Sequence, residues 1–343
     1  MQLLSNNGIE TVVTSRQPPT PDGKVRYVQG NAQDIQFLQQ LLREHWDAIV
    51  DFMVYTTELF KERVNLLLNA TPQYVFLSSA RVYSNGESPI SETSPRLLES
   101  SLDNEFLATD EYSLAKARQE DVLRNSGRKN WTIIRPYITY SENRLQLGVF
   151  EKEDWLYRAL HGKTIVFSED INTKTTTLTY GFDVARGIVS LIGKAEALGE
   201  AFHITTDKKE AKTWAEILAI YLMALEKHLG HKPKVLLQNL DNFLELRNRS
   251  AQYQVVYDRL YNRVFDSSKI SHYVDTDSFT NVETGFVACL EVFLRNPQFK
   301  NINWRIMAKM DRQTGEKTAL SEIPGIKQKV KYLIYRFGLE KNL

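Results

Sequence analysis

Tyr74-Val75-Phe76-Leu77-Ser78-Ser79 decides the fold. The run reads as a strand, and its two serines fall at the carboxyl edge, where doubly wound sheets gather their active sites. Working outward, Asp47-Ala48-Ile49-Val50-Asp51-Phe52 and Trp131-Thr132-Ile133-Ile134-Arg135 read as further strands, with helices expected over residues 57–70 and 110–125. Residues 9–16 are a β-branched run behind Asn6-Asn7-Gly8, the pattern of a helix end turning into a buried strand. Residues 25–28 give a second short strand and residues 35–43 a helix. Strands separated by helical patterns predict right-handed βαβ crossovers and an α/β fold with a doubly wound parallel sheet. Beyond residue 145 the spacing loosens: strands are expected at 162–167, 176–180 and 202–204, and a helix at 183–192. The expected organisation is a larger domain over residues 1–175 and a smaller C-terminal α/β lobe over residues 176–343, with some elements returning to the sheet.

Composition narrows the classes. Of 343 residues, 42% are hydrophobic and 25% charged, the balance of an ordinary soluble globular protein. Lys plus Arg at 43 against Asp plus Glu at 42 leaves a net charge of +1, so no global field steers nucleic acid or an anionic membrane toward the chain. Any anionic ligand must be caught locally. The single cysteine, Cys289, excludes disulfides and Cys-based zinc sites and suits a reducing compartment. The start lacks a basic segment followed by an apolar run, and no stretch approaches about 18 apolar residues, so a cytosolic location is expected. The histidines, among them His45, His161, His203 and His228, show no metal-ligand spacing, and no metal site is expected.

The sharpest constellation is Tyr112-Ser113-Leu114-Ala115-Lys116, which on a helix sets a phenol and an ammonium one turn apart on one face. A cation beside a phenol makes it a usable general acid/base. Alone, the spacing is weak, because a surface Tyr and Lys or a strand-end turn serine is ordinary. Ser79 ahead of Tyr-xxx-Lys, in the right order and on the right element types, favours a site.

With these residues in view, the chain resembles the extended short-chain dehydrogenases/reductases, the NAD-dependent epimerase/dehydratase family acting on nucleotide sugars. Residues 75–83 are similar to the family's strand with its catalytic serine, and Glu111 to Lys116 to its catalytic helix. Arg135-Pro136-Tyr137-Ile138 resembles the segment passing the nicotinamide, Tyr180-Gly181-Phe182-Asp183-Val184-Ala185 a helix start after a substrate-lobe strand, and Asp266-Ser267-Ser268-Lys269 a late family element. The resemblance implies a modified Rossmann domain with a substrate lobe. It makes Ser79 the residue that orients substrate and Tyr112 the proton-exchanging one, while Lys116 binds the nicotinamide ribose, with Pro136 and Ile138 near the ring. It also implies a homodimer through a bundle that includes the Tyr-Lys helix.

Three departures qualify it. Met1 aligns where the family's first helix is already ending, so the first strand and its Gly-x-x-Gly-x-x-Gly turn are missing from this sequence. A start assigned too late is expected ahead of a truncated chain that binds cofactor poorly. Ala80-Arg81 stand where the 4,6-dehydratases carry an Asp-Glu pair, which points away from dehydration and toward epimerisation or keto-reduction. Thr176 stands where sugar epimerases tend to carry a diphosphate-binding arginine, leaving Arg144, Arg259 and Arg263 as candidate substitutes.

Cofactor choice is read at the end of the first strand. Ser15-Arg16 replace the usual acid, and Arg16 could pair with a 2′-phosphate, so NADP(H) is expected ahead of NAD(H), with Asn31 also at the cofactor. The tail over residues 326–343 sets Ile326, Val330, Leu333 and Phe337 at helical spacing among lysines; a terminal helix docked on its own lobe is expected ahead of a membrane- or partner-binding one. Epimerase and reductase use one triad and stay open, as does a non-catalytic descendant that binds a partner.

Overall fold

The computed structural model describes residues 1–17, 25–86 and 88–339. It divides into two compact units. The first takes Met1–Thr139, Thr179–Lys208 and Phe265–Phe279, and the second Tyr140–Leu178, Lys209–Val264 and Thr280–Leu343. The first crossing thus falls earlier than residue 175, and two later segments rejoin the first unit.

In the first unit, β1 (Thr11–Ser15), β2 (Val25–Gln29), β3 (Ile49–Asp51), β4 (Tyr74–Leu77), β5 (Trp131–Pro136) and β6 (Glu200–Ile204) are all parallel to their neighbours. The helices that accompany them include α1 (Gln2–Asn6), α2 (Ile35–Leu41), α3 (Thr57–Asn69), α4 (Tyr112–Arg124) and α5 (Gly181–Leu191). The central sheet has the order β6-β5-β4-β3, while β1 and β2 form a separate pair. Among the described residues, therefore, β1 and β3 each have one sheet neighbour.

Period-two alternation puts a core on each face of the central sheet. Tyr74, Phe76, Trp131 and Ile133 pack with Phe60, Val64, Leu67 and Leu68 of α3 and Leu123 of α4. Val75, Ile134, Phe202 and Ile204 face the other way, onto Val184, Ile188 and Leu191 of α5. Each such side chain contributes about 1.5–3 kcal/mol by burial. Ile133 and Ile134 are both fully buried, so truncating either to alanine would cost about 2–5 kcal/mol. The expected burial of the first strand is not observed: only Thr11 of β1 is buried. A strand with one parallel neighbour has less of its surface covered than one flanked on both sides.

The second unit pairs Ile165–Ser168 in parallel with Val235–Gln238, and Thr175–Thr176 antiparallel with Lys212–Thr213. It ends in α6 (Trp304–Thr314) and α7 (Gly325–Arg336). The expected tail helix is α7, docked by Tyr332 into a cluster with Trp304, Met307, Ala308 and Ile323. Residues 340–343 of that tail lie outside the described residues.

Candidate active site

β4 ends at Leu77, and Ser78-Ser79 follow as its exit. Ser79 is extended (φ −159°, ψ 140°) and caps the short turn Ala80–Val82, its Oγ accepting from Arg81 N at 3.2 Å. The α4 helix starts at Tyr112 because Glu111 caps it, accepting from Ser113 N at 2.7 Å and Ser113 Oγ at 2.6 Å. Arg81 links the two elements. Its guanidinium donates to Glu111 at 2.7 Å and lies over the Tyr112 ring, 5.2 Å from the centroid.

Lys116, one turn beyond Tyr112, is 2% exposed. Its Nζ donates to the Leu77 carbonyl at 2.7 Å and sits 4.5 Å from the Phe76 ring centroid. Burial pushes its ammonium down to about 8, against the attraction of Asp51 and Glu120. The helix that starts at Tyr112 and the serine-bearing strand end are therefore tied directly, α4 to β4, by Lys116.

Sequence reasoning missed the charged layer beneath. Glu120, one turn beyond Lys116, is fully buried; it accepts from Ser78 Oγ at 2.5 Å and from Arg135 Nε and Nη2 at 2.8 and 2.5 Å. Burial raises its carboxyl, but the Arg135 charge, hydrogen bonds from Arg135 and Ser78, and the Arg96 charge outweigh that and hold it below the usual range. Arg135 also donates to the Tyr83 hydroxyl, which lies 2.6 Å from His203 Nε2. Burial and the Arg135 charge push His203 down to about 3, so it is neutral and structural. Asp51, closing β3, accepts from Tyr74 at 2.8 Å and Tyr55 at 3.1 Å, and its burial raises the carboxyl.

The expected cofactor residues of the first strand pair come together. Thr14, Ser15, Arg16, Gly30, Asn31 and Gln33 line a cleft of about 180 Å³, bounded on another side by Met53. Ser15 and Asn31 offer hydroxyl and amide groups, Arg16 a cation, and among the described residues no carboxylate lines the cleft, a set that fits a phosphorylated ribose. Gly30 is needed there because a Cβ would fall 2.1 Å from the Phe37 ring. Pro136 ends β5, and Ile138 follows it, buried. The candidate diphosphate residues lie in the second unit. Arg259 and Arg263 are buried and both pair with Asp258, whereas Arg144 is exposed and pairs with Glu151 at 3.4 Å. Thr176 is buried, with no hydrogen-bond partner for its hydroxyl among the described residues.

The fold has counterparts among solved structures. The UDP-glucuronic acid 4-epimerase of Bacillus cereus in complex with NAD is similar over 86% of this chain and 92% of its own, with a TM-score of 0.62 and 16% identity. At that identity the likeness is one of fold: α/β with a parallel sheet. The enzyme WbmH of Bordetella bronchiseptica with NAD⁺ gives a TM-score of 0.64 at 15% identity over 87% of this chain and 94% of its own. The dTDP-glucose 4,6-dehydratase of Bacillus anthracis with NAD gives 0.62 at 16% identity over 86% and 91%. No family model and no curated protein matches the sequence.

Proposed function

We propose that this chain is an NAD(P)-dependent enzyme acting on a nucleotide sugar, as an epimerase or reductase, through Ser79, Tyr112 and Lys116. The observation that carries the reading is the tie of Lys116 to the Leu77 carbonyl, which holds the helix bearing Tyr112 against the strand end bearing Ser79. The NAD complexes of the similar structures support the cofactor class.

In this reading Tyr112 takes the proton of a sugar hydroxyl onto its phenolic oxygen while Ser79 donates to the same oxygen. Lys116 supplies the adjacent positive charge. A bound nicotinamide supplies the acceptor, and later the donor, of the hydride from that carbon. In the epimerase reading Tyr112 would then return its proton to the sugar oxygen as hydride returns to the opposite face; in the reductase reading the substrate is the keto sugar, and Tyr112 would give its proton to the carbonyl oxygen while a reduced nicotinamide supplies the hydride. Ala80-Arg81 bring no carboxyl group to the position where elimination would need one, which supports epimerisation or reduction over dehydration.

Ser15, Arg16 and Asn31 would hold the adenosine ribose end, with Arg16 favouring a 2′-phosphate, and Pro136 and Ile138 would flank the nicotinamide. Of the three candidate arginines, exposed Arg144 is the one open to a sugar diphosphate. The reading includes a homodimer through α3 and α4, whose outer groove of about 620 Å³ is lined by Thr57, Lys61, Val64, Arg118 and Asp121.

The test pairs calorimetric titration of NADP⁺ and NAD⁺ with conversion of UDP-glucuronic acid, followed by proton NMR of the sugar. Conversion by the parent protein and its loss in Tyr112→Phe is expected; full activity in Tyr112→Phe overturns the mechanism. The 180 Å³ cleft is smaller than the roughly 300–1,000 Å³ usual for small-molecule sites, which favours the second reading, a non-catalytic binding protein. Failure to bind either dinucleotide would select it.

A further inference from the structure

The docked face of α7 is strongly held. The Tyr332 hydroxyl donates to Asp311 at 2.7 Å and accepts from Thr318 N at 2.8 Å, Arg336 Nε donates to the Glu316 carbonyl at 3.0 Å, and Arg312 donates to the Tyr335 carbonyl at 3.1 Å. Arg305 and Lys309 lie over the Tyr335 ring at 5.0 and 5.7 Å. The helix thus belongs to its own unit, yet of the four apolar residues that announced it only Leu333 packs against the docking cluster. Ile326 is 80%, Val330 49% and Phe337 66% exposed. At positions i, i+4 and i+11 they form one stripe along the helix.

The rim of that stripe has one sign. Between Ile323 and Leu339 the sequence holds Lys327, Lys329, Lys331 and Arg336 and no acidic residue. Lys327 and Lys331 are exposed and make no ion pair among the described residues. In the preceding helix and turn, Asp311 and Glu316 are engaged internally by Arg158, and Asp311 also by Lys163. A chain of net charge +1 therefore concentrates cations around its most exposed apolar ridge.

We propose that α7 docks this unit onto an anionic lipid bilayer. The ridge enters the headgroup–acyl boundary, and the lysines lie along its sides with their ammonium groups at the phosphates. Self-association on this face would set the same lysine rim against itself, because a two-fold contact is self-complementary, so the charge disfavours a second copy. A narrow, straight ridge also suits a fluid phase, which closes around it without a shaped pocket. Among the described residues no helix is long and apolar enough to cross a membrane, so the association is at the surface. The proposal is independent of the reaction assigned above.

The experiment is flotation of the full chain with vesicles of phosphatidylcholine alone and of phosphatidylcholine with phosphatidylglycerol. Flotation with the anionic vesicles only, weakened by high salt, is expected. The double variants Ile326→Ser/Phe337→Ser and Lys327→Glu/Lys331→Glu should each lower the partition coefficient about tenfold or more, with unchanged thermal melting. Phe337→Trp should show a blue-shifted emission on adding anionic vesicles. No flotation, equal flotation with neutral vesicles, or flotation unaltered by both double variants overturns the proposal. So does loss, in the apolar variant, of a dimer seen by light scattering, or saturable binding of an acidic protein in place of vesicles.

Discussion

Glu120 and Arg135 form a buried two-point ion pair under the exit of β4, with Nε–Oε1 at 2.8 Å and Nη2–Oε2 at 2.5 Å. Because Ser78 donates to the same carboxylate, the pair fixes the backbone from which Ser79 springs. Removing one partner leaves the other charge buried and uncompensated, so Glu120→Gln should destabilise the protein by about 3–5 kcal/mol in urea unfolding, and Glu120→Leu/Arg135→Leu by less than Arg135→Leu alone. Folding holds the Glu120 carboxyl below its ordinary range, so the stability it contributes is full above that range and is lost as pH falls through it.

The Lys116 ammonium, pushed down to about 8 by burial, loses its charge just above neutrality. If that charge supports proton exchange by Tyr112, turnover should fall as pH rises past about 8. Lys116→Arg does not titrate in this range and should flatten that alkaline limb, whatever its absolute rate. The ordinary lysine value lies above the folded one, so unfolding free energy should rise between pH 8 and 10.5, as the folded state sheds a proton the unfolded chain keeps. Rate–pH profiles and urea melts check the two arms separately.

Among the described residues, Arg16 is the one cation lining the β1–β2 cleft. Arg16→Asp should turn dinucleotide preference toward NAD(H), shifting the ratio of dissociation constants about tenfold or more, as read by titration calorimetry. An unchanged ratio would remove Arg16 from the site.

Gly30→Ala should displace the Phe37 ring and with it α2, since the added methyl carbon meets the ring at 2.1 Å. A loss of about 1–3 kcal/mol is expected, checked by thermal or urea unfolding.

The strands and helices of the first unit were legible because apolar period and length agree there, and so were the strand end that carries Ser79 and the helix that carries Tyr112 and Lys116. Glu120 was hidden by its ordinary appearance on a helix, although Tyr112, Lys116 and Glu120 recur at every fourth position and so share a face. Asp51 could not be told from a surface acid, since two tyrosines, one of them 23 residues away, satisfy it. The tail was legible in part for a related reason: of Ile326, Val330, Leu333 and Phe337, Leu333 packs against the docking cluster while the other three stay exposed, and Tyr332 and Tyr335 dock through hydroxyl, ring and carbonyl contacts that hydropathy does not register. The split of the sheet depends on which strands pair at long range, and no local pattern encodes it.

That split has a consequence for how the molecule opens. β4 and β5 are shielded on both faces and on both edges, whereas β1 and β2 share five register pairs, mostly half-exposed side chains, and an anchor through α2. The amide protons of β1 and β2 should therefore exchange with solvent deuterium through a local opening of low free energy, while those of β4 and β5 wait for global unfolding. A dinucleotide held by Ser15, Arg16 and Asn31 would have to bind the closed form of this two-stranded unit. Part of its affinity would go into keeping the unit shut, and slowed exchange at Val12 to Thr14 would report occupancy with no catalytic assay.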